Sequence, residues 1–260
     1  MPFIRFIYLI ALLTTMAPLD AALVFGPHRL SAFAEGGRVS RKRQGGTHQK
    51  GALLGYGCEY ERLKNSGIYL LGRAVGDEGT LRGRTGSGFK IKSRYDSQEY
   101  FGRGGWSFCF GERDSFVVAP FAGGGYFRSE NRFVDPSPIP VNMQVHFLYA
   151  LGGLTFEWRK QEDLYYTFSF QGKKPFDPEC VIKDDPELFE IHQLFKSKMQ
   201  WDVETGFRKM WGACFGCKGA LEGQLFYRHS RYGKKENFPF DFADTRQKFW
   251  GIRIGFSALF

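Results

Sequence analysis

The stretch Trp250-Gly-Ile-Arg-Ile-Gly-Phe-Ser-Ala-Leu-Phe260 decides the fold. Trp250, Ile252, Ile254, Phe256, Ala258 and Phe260 recur at period two, while Gly251, Arg253, Gly255 and Ser257 take the alternate positions and Leu259 breaks the rule. Successive side chains of a strand point to opposite faces, so the segment reads as a strand with one apolar face and one small or polar face. A wall strand of a membrane β-barrel needs that division, with lipid outside and a polar interior.

The same alternation recurs upstream. It is strong over residues 52–61, 99–110, 141–151, 200–208 and 221–228, and weaker over 68–75, 116–127 and 164–171. Ala52, Leu54, Tyr56, Cys58 and Tyr60 oppose Gly55, Gly57, Glu59 and Glu61; Trp201, Val203 and Phe207 oppose Gln200, Asp202, Glu204 and Arg208. Over 141–151, Val141, Met143, Val145, Phe147 and Tyr149 are expected outside, with Asn142, Gln144 and His146 inside. Pro120 costs its strand a ladder bond and counts against a regular central position.

Short connections (62–66, 111–115, 159–163, 212–218) alternate with long ones (76–97, 128–140, 172–198, 231–245), the long ones being read as loops. Membrane barrels place short turns at the periplasmic end and long loops outside. Counting back from the last strand, a climbing strand must precede residue 52. Residues 23–37 (LVFGPHRLSAFAEGG) supply it, followed by a polar loop over 38–50. The expected fold is all-β, a transmembrane up-and-down antiparallel β-barrel of about 10 strands, with 8 or 12 as alternatives.

Bulk composition agrees. The 260 residues include 28 Phe, 12 Tyr and 33 Gly, yet mean hydropathy is −0.33, which excludes a polytopic helical membrane protein. Arg5, the apolar run from Phe6 to Met16 and then Ala21-Ala22 have the form of an export signal. The division expected is 1–22 signal peptide and 23–260 barrel. A net charge of +9 on an exported chain points to anionic surfaces rather than nucleic acid. Five cysteines in an oxidising compartment make Cys214-Phe-Gly-Cys217 the local disulfide candidate.

The aromatic strand ending on Phe260 resembles the terminal strand of Gram-negative outer-membrane barrels, and 116–126 resembles the Pro-aromatic-Gly strand of small OmpA-type barrels. The resemblance implies residence in the bacterial outer membrane. It also implies that Phe260, Phe256 and Ile254 form an insertion signal read by the barrel-assembly machinery. Outer-membrane lipid and lipopolysaccharide, or host-surface glycans, are the expected partners, met by basic loops around Arg38, Arg41, Lys42 and Arg43 and around Arg82 to Arg94. No cofactor or metal is called for.

Inward Glu59, Glu61, Arg73, Glu99, Arg103, His146, Asp202, Glu204, Arg208, Glu222, Arg228 and Arg253 mix both signs. A narrow barrel is expected to fill its lumen with such groups, giving a structural or adhesin-like role. A narrow porin is one alternative, and a rim-sited lipid hydrolase or protease the other. The weak catalytic candidates are the Asp202–Glu204 pair and His229. His229 and Ser230 are adjacent, so a regular strand sends them to opposite faces.

The export reading is checked at the N-terminus. Mass analysis of the membrane-inserted chain is expected to place its first residue near 22 or 23; an intact Met1 would contradict it.

Overall fold

The computed structural model describes residues 28–111, 115–138, 140–187, 189–214, 217–237 and 242–260. The export signal, residues 23–27 of the first expected strand, and the side chains of Cys214 and Cys217 lie outside the described residues. Twelve strands form one sheet: β1 (His28–Arg43), β2 (His48–Arg62), β3 (Gly67–Arg84), β4 (Lys90–Phe110), β5 (Phe116–Val134), β6 (Asn142–Gln161), β7 (Leu164–Asp185), β8 (Phe189–Leu194), β9 (Lys196–Ser197), β10 (Gln200–Cys214), β11 (Cys217–Gly233) and β12 (Thr245–Leu259). Consecutive strands β1 to β7 pair antiparallel, β7 pairs β10, and β12 returns to β1. Ten strands therefore close the barrel and leave no wall edge to bind a stray chain. The short β8 and β9 lie on its rim, against β7 and β11.

The face division along β12 is as its sequence dictates. Ile252, Ile254 and Phe256 are 55%, 56% and 61% exposed, while Arg253 between them is 4% exposed. Outward apolar groups recur on every wall strand, with aromatic rings at both ends of the belt. Trp158 contacts both Phe116 and Tyr166 at the short-turn rim; Trp201 stacks on Tyr227 at the other, their centroids 5.0 Å apart. Such girdles mark membrane interfaces. No helix among the described residues is long and apolar enough to cross a membrane, so crossing falls to the strands.

Much of the expected long loops 76–97, 128–140 and 172–198 is instead strand, while 231–245 is strand only at its two ends. β4 has 21 residues and β7 has 22, against the roughly 9–11 that a tilted membrane crossing needs. The surplus projects beyond the belt as a continuation of the same sheet, each hairpin still paired with its neighbours, and Gly45 and Gly46, at φ +93° and +85°, turn the first. The sequence hides this because strands with water on one side and charge on both faces lose the apolar alternation.

One face assignment is inverted. On β6, Met143, Val145, Phe147 and Tyr149 point into the barrel and are 2–6% exposed, whereas Gln144 and His146 point outward. The reason is height: this half of β6 stands beyond the lipid, so its outer face meets water. Its inner face meets Cys180, Ile182, Ile191 and Phe195 in one apolar cluster.

Pro120 sits in a central strand after all. β5 keeps its partner Leu154 on β6, while the β4 ladder passes from Gly105–Phe121 to Phe108–Val118 without pairing between. A Cβ on Gly105 would lie 1.9 Å from the Pro120 carbonyl oxygen, so the missing bond is accommodated by a glycine opposite.

Cys180 shows how far the projecting hairpins are packed. It is fully buried on β7, not in an open loop, and burial pushes its thiol up to about 11 despite the nearby Arg41 and Arg43. Maleimide added to the folded protein at pH 7 is expected to leave Cys180 unmodified and to react after denaturation. Rapid labelling of the native chain would contradict this packing.

Candidate functional site in the barrel lumen

Within the lipid-facing belt, period-two alternation sends the charged side chains inward, and closure brings together charges distant in sequence. At the short-turn end, Arg29 of β1 donates to Glu59 (2.9 Å) and also bonds Glu61 and Glu222. Arg208 of β10 shares Glu222 (3.1 Å) and reaches Glu157 at 2.9 Å. Midway, Arg73 donates to Glu59 (2.6 Å) and grips both oxygens of Glu204 at 2.6 and 2.9 Å. Arg253 donates to Glu35 at 2.8 and 2.9 Å and to Gln224 at 2.9 Å, and lies 3.3 Å from Glu204. Higher still, Arg228 binds Glu35 (2.8 Å) and Asp77 (3.4 Å), and Lys173 lies 2.6 Å from both Glu99 and Asp202.

The arginine pairs form one lattice, because Glu59, Glu204, Glu35 and Glu222 each serve two cations, while Lys173 with Glu99 and Asp202 makes a separate group beside it. Sharing matters: a buried charge is tolerable only when paired and hydrogen-bonded. Charges concentrate on β10 to β12 and β1 to β3, while Tyr69, Phe101, Phe121 and Leu151 make the lumen apolar on the β3 to β6 side. Arg103 joins the halves, its guanidinium 4.1 Å from the Phe121 ring centroid and its Nε donating to the Tyr69 hydroxyl at 2.9 Å. Gly125 gives Tyr149 room to donate to Glu99 at 2.8 Å; a Cβ there would sit 2.5 Å from the tyrosine oxygen.

Two cavities remain. One, of about 40 Å³, is lined by Asp77, Tyr95, Glu99, Lys173, Asp202 and Arg228. The other, of about 30 Å³, lies toward the short-turn end among Arg29, Glu61, Arg73, Arg103, Glu204 and Arg208. They share no lining residue, and the contacts of Glu35 and Arg253 run from one set to the other. Beyond the first cavity, Phe147, Phe195, Tyr232 and Phe242 pack ring against ring, each 4% exposed or less.

Asp202 and Glu204 both face inward, as expected, but each carboxylate is held by a cation rather than aimed at open solvent. His229 lies on the outer face, its ring 5.4 Å from Trp201 and cross-strand from Lys248, while Ser230 lines the inner cavity. The barrel wall thus separates His229 from both acids. Cys214 and Cys217 are register partners on β10 and β11. Ile254, Phe256 and Phe260 all point outward, and Phe260 stacks on His28 at 5.9 Å. His146 leaves the lumen set; outside the wall its Nε2 lies 3.3 Å from Glu179.

The inward charged residues missed from sequence are Arg29, Glu35, Asp77, Glu157 and Lys173. A usable signal existed for most of them. Arg29, Ser31, Phe33 and Glu35 share one parity, and Asp77 and Lys173 continue the parity of Arg73 and Gln171 into segments read as loop.

No family model matches the chain. No curated protein matches it. Solved structures resemble it in shape. The outer membrane protease OmpT of Escherichia coli is 13% identical, with a TM-score of 0.49 over 94% of this chain and 100% of that one. The translocator domain of the autotransporter NalP of Neisseria meningitidis is 10% identical, with 0.45 over 100% and 96%. A FadL homologue of Pseudomonas aeruginosa is 7% identical, with 0.34 over 94% and 95%. At these values the likenesses carry no inference about activity.

Removing one member of the lattice strands its partners without charge compensation, a loss of about 3–5 kcal/mol for buried pairs. Arg73→Met is therefore expected to lower the urea midpoint of the vesicle-inserted protein strongly. Lys209→Met, which breaks the exposed contact with Asp163, is expected to leave the midpoint unchanged. Equal midpoints for the two variants would contradict the lattice as a structural requirement.

Proposed function

We propose that this chain is a bacterial outer-membrane barrel with a closed lumen, which acts through its outer surface and projecting hairpins in envelope structure or adhesion. The observation that carries this reading is the continuous ion-pair lattice through Arg73, Glu204, Arg253 and Glu35, with separate cavities on either side. A porin needs a continuous polar path, and here guanidinium groups fill its narrowest part. A hydrolase built on Asp202, Glu204 and His229 would need its base and acids on one side of the wall.

The outer-membrane assignment rests on the outward apolar belt with its two aromatic girdles and on the export signal expected at the N-terminus. The surface role rests on strand length, since hairpins of this reach present far more surface than a membrane crossing requires.

Planar-bilayer recording tests the reading. The wild-type protein is expected to give no stepwise conductance, whereas the double variant Arg73→Ser, Arg253→Ser opens the constriction and gives resolvable steps. Large, stable, salt-dependent steps from the wild type would reject the closed lumen and favour the porin.

A further inference from the structure

The barrel's exterior carries a charge pattern that the closed lumen does not explain. Directly cross-strand on β12, β1, β2, β3 and β4 stand Lys248, Ser40, Lys50, Arg82 and Lys92, all facing outward. The next outward row has a basic side chain at every position: Arg231, Arg246, Lys42, His48, Arg84 and Lys90. Arg231 pairs with Asp244 at 3.1 Å; among the described residues, the other Lys and Arg of both rows form no ion pair. Like charges directly opposite on neighbouring strands destabilise a sheet. Two consecutive rows of them call for a counter-charge, and no described residue provides it except Asp244 beside Arg231.

The height of the rows defines the partner. Lys248 lies two residues beyond Trp250, whose exposed ring ends the apolar face of β12. At about 3.3 Å per residue and a tilt near 40°, that is roughly 5 Å above the lipid. On β4 the belt ends at Tyr100, and Lys92 stands eight residues further on, roughly 20 Å above the lipid by the same geometry. The rows therefore climb from the membrane surface outward as they pass around the wall. A phospholipid headgroup could meet only their lower end.

We propose that this outer face binds a phosphorylated glycolipid of the surrounding leaflet, with phosphates near the membrane held by Lys50, Arg246 and Lys248. Phosphates further along its sugar chain are held by Arg82, Arg84 and Lys92. Guanidinium and ammonium donors suit phosphate oxygens, and continuity with the apolar belt favours a partner whose acyl chains lie against the barrel over a detached glycan. The proposal rests on the outer-membrane reading and gives that surface a chemical partner.

The test uses the full barrel in phosphatidylcholine nanodiscs, with insertion confirmed first by heat-modifiable gel mobility. Binding is measured for lipopolysaccharide with a phosphorylated core, for bisphosphorylated lipid A, for phosphatidylglycerol and for heparin. The triple variant Lys50→Gln, Arg246→Gln, Lys248→Gln is expected to lose lipid A binding roughly a hundredfold. The triple variant Arg82→Gln, Arg84→Gln, Lys92→Gln is expected to keep lipid A binding and lose the extra affinity for the phosphorylated core. Equal binding of phosphatidylglycerol and lipopolysaccharide, or an upper variant that changes nothing, would overturn the proposal. Heparin binding without lipid A binding would replace the glycolipid by a sulfated glycan. Failure to insert would overturn the membrane reading itself, and gel mobility reports that separately.

Discussion

A lipid-facing wall cannot hold an unpaired charge, so each charged side chain within the belt must point inward, and once inward it must find a partner. That constraint sets the rest of the barrel. It makes Arg253 buried between exposed Ile252 and Ile254, and it makes Glu35, from a strand more than two hundred residues earlier, the acceptor for that guanidinium. Closure of β12 against β1 provides the proximity, and the ion pairs then fill the space that closure creates. Wall and filling are one solution: the wall hides its charges inside, and the inside is narrow enough for the charges to satisfy one another.

Above the lipid the constraint lapses, and the strands change character. Both faces can be polar, so β6 turns an apolar face inward to meet the rim strand β8 and the Phe195–Phe242 cluster, while the outer faces of β12 to β4 gather cations. The same strand thus obeys two rules in succession, and the border falls near Trp250, Tyr100 and Tyr227 on their respective strands. Below the border a charge outside is forbidden; above it, charge outside is free to recognise something.

Legibility in the sequence follows that border. β12, β2, β10 and β11 alternate wherever they touch lipid, and their inward residues could be named from parity alone: Glu59, Asp202, Glu204, Glu222, Arg228 and Arg253. The ten-strand count was legible from the alternation of short and long connections. What parity cannot report is strand continuation beyond the lipid, where Lys173 and Asp77 belong to strands that read as loops. The facing of Met143 to Tyr149 was misread because an apolar period-two run looks the same whether its apolar side meets lipid or a protein lid. Partner identities such as Arg73 with Glu204 depend on barrel closure, which no local pattern encodes.

The joint claim of a lipid-facing belt and a filled lumen is tested most directly by a nitroxide accessibility scan along β12 in bilayers, one spin label per variant from position 250 to 257. Positions 250, 252, 254 and 256 are expected to be relaxed by oxygen dissolved in the lipid. Positions 251, 253, 255 and 257 are expected to be shielded from both oxygen and a water-soluble paramagnetic complex. Strong relaxation of 253 and 255 by the water-soluble complex would reveal an open aqueous lumen, and loss of the alternation would contradict the membrane-facing wall itself.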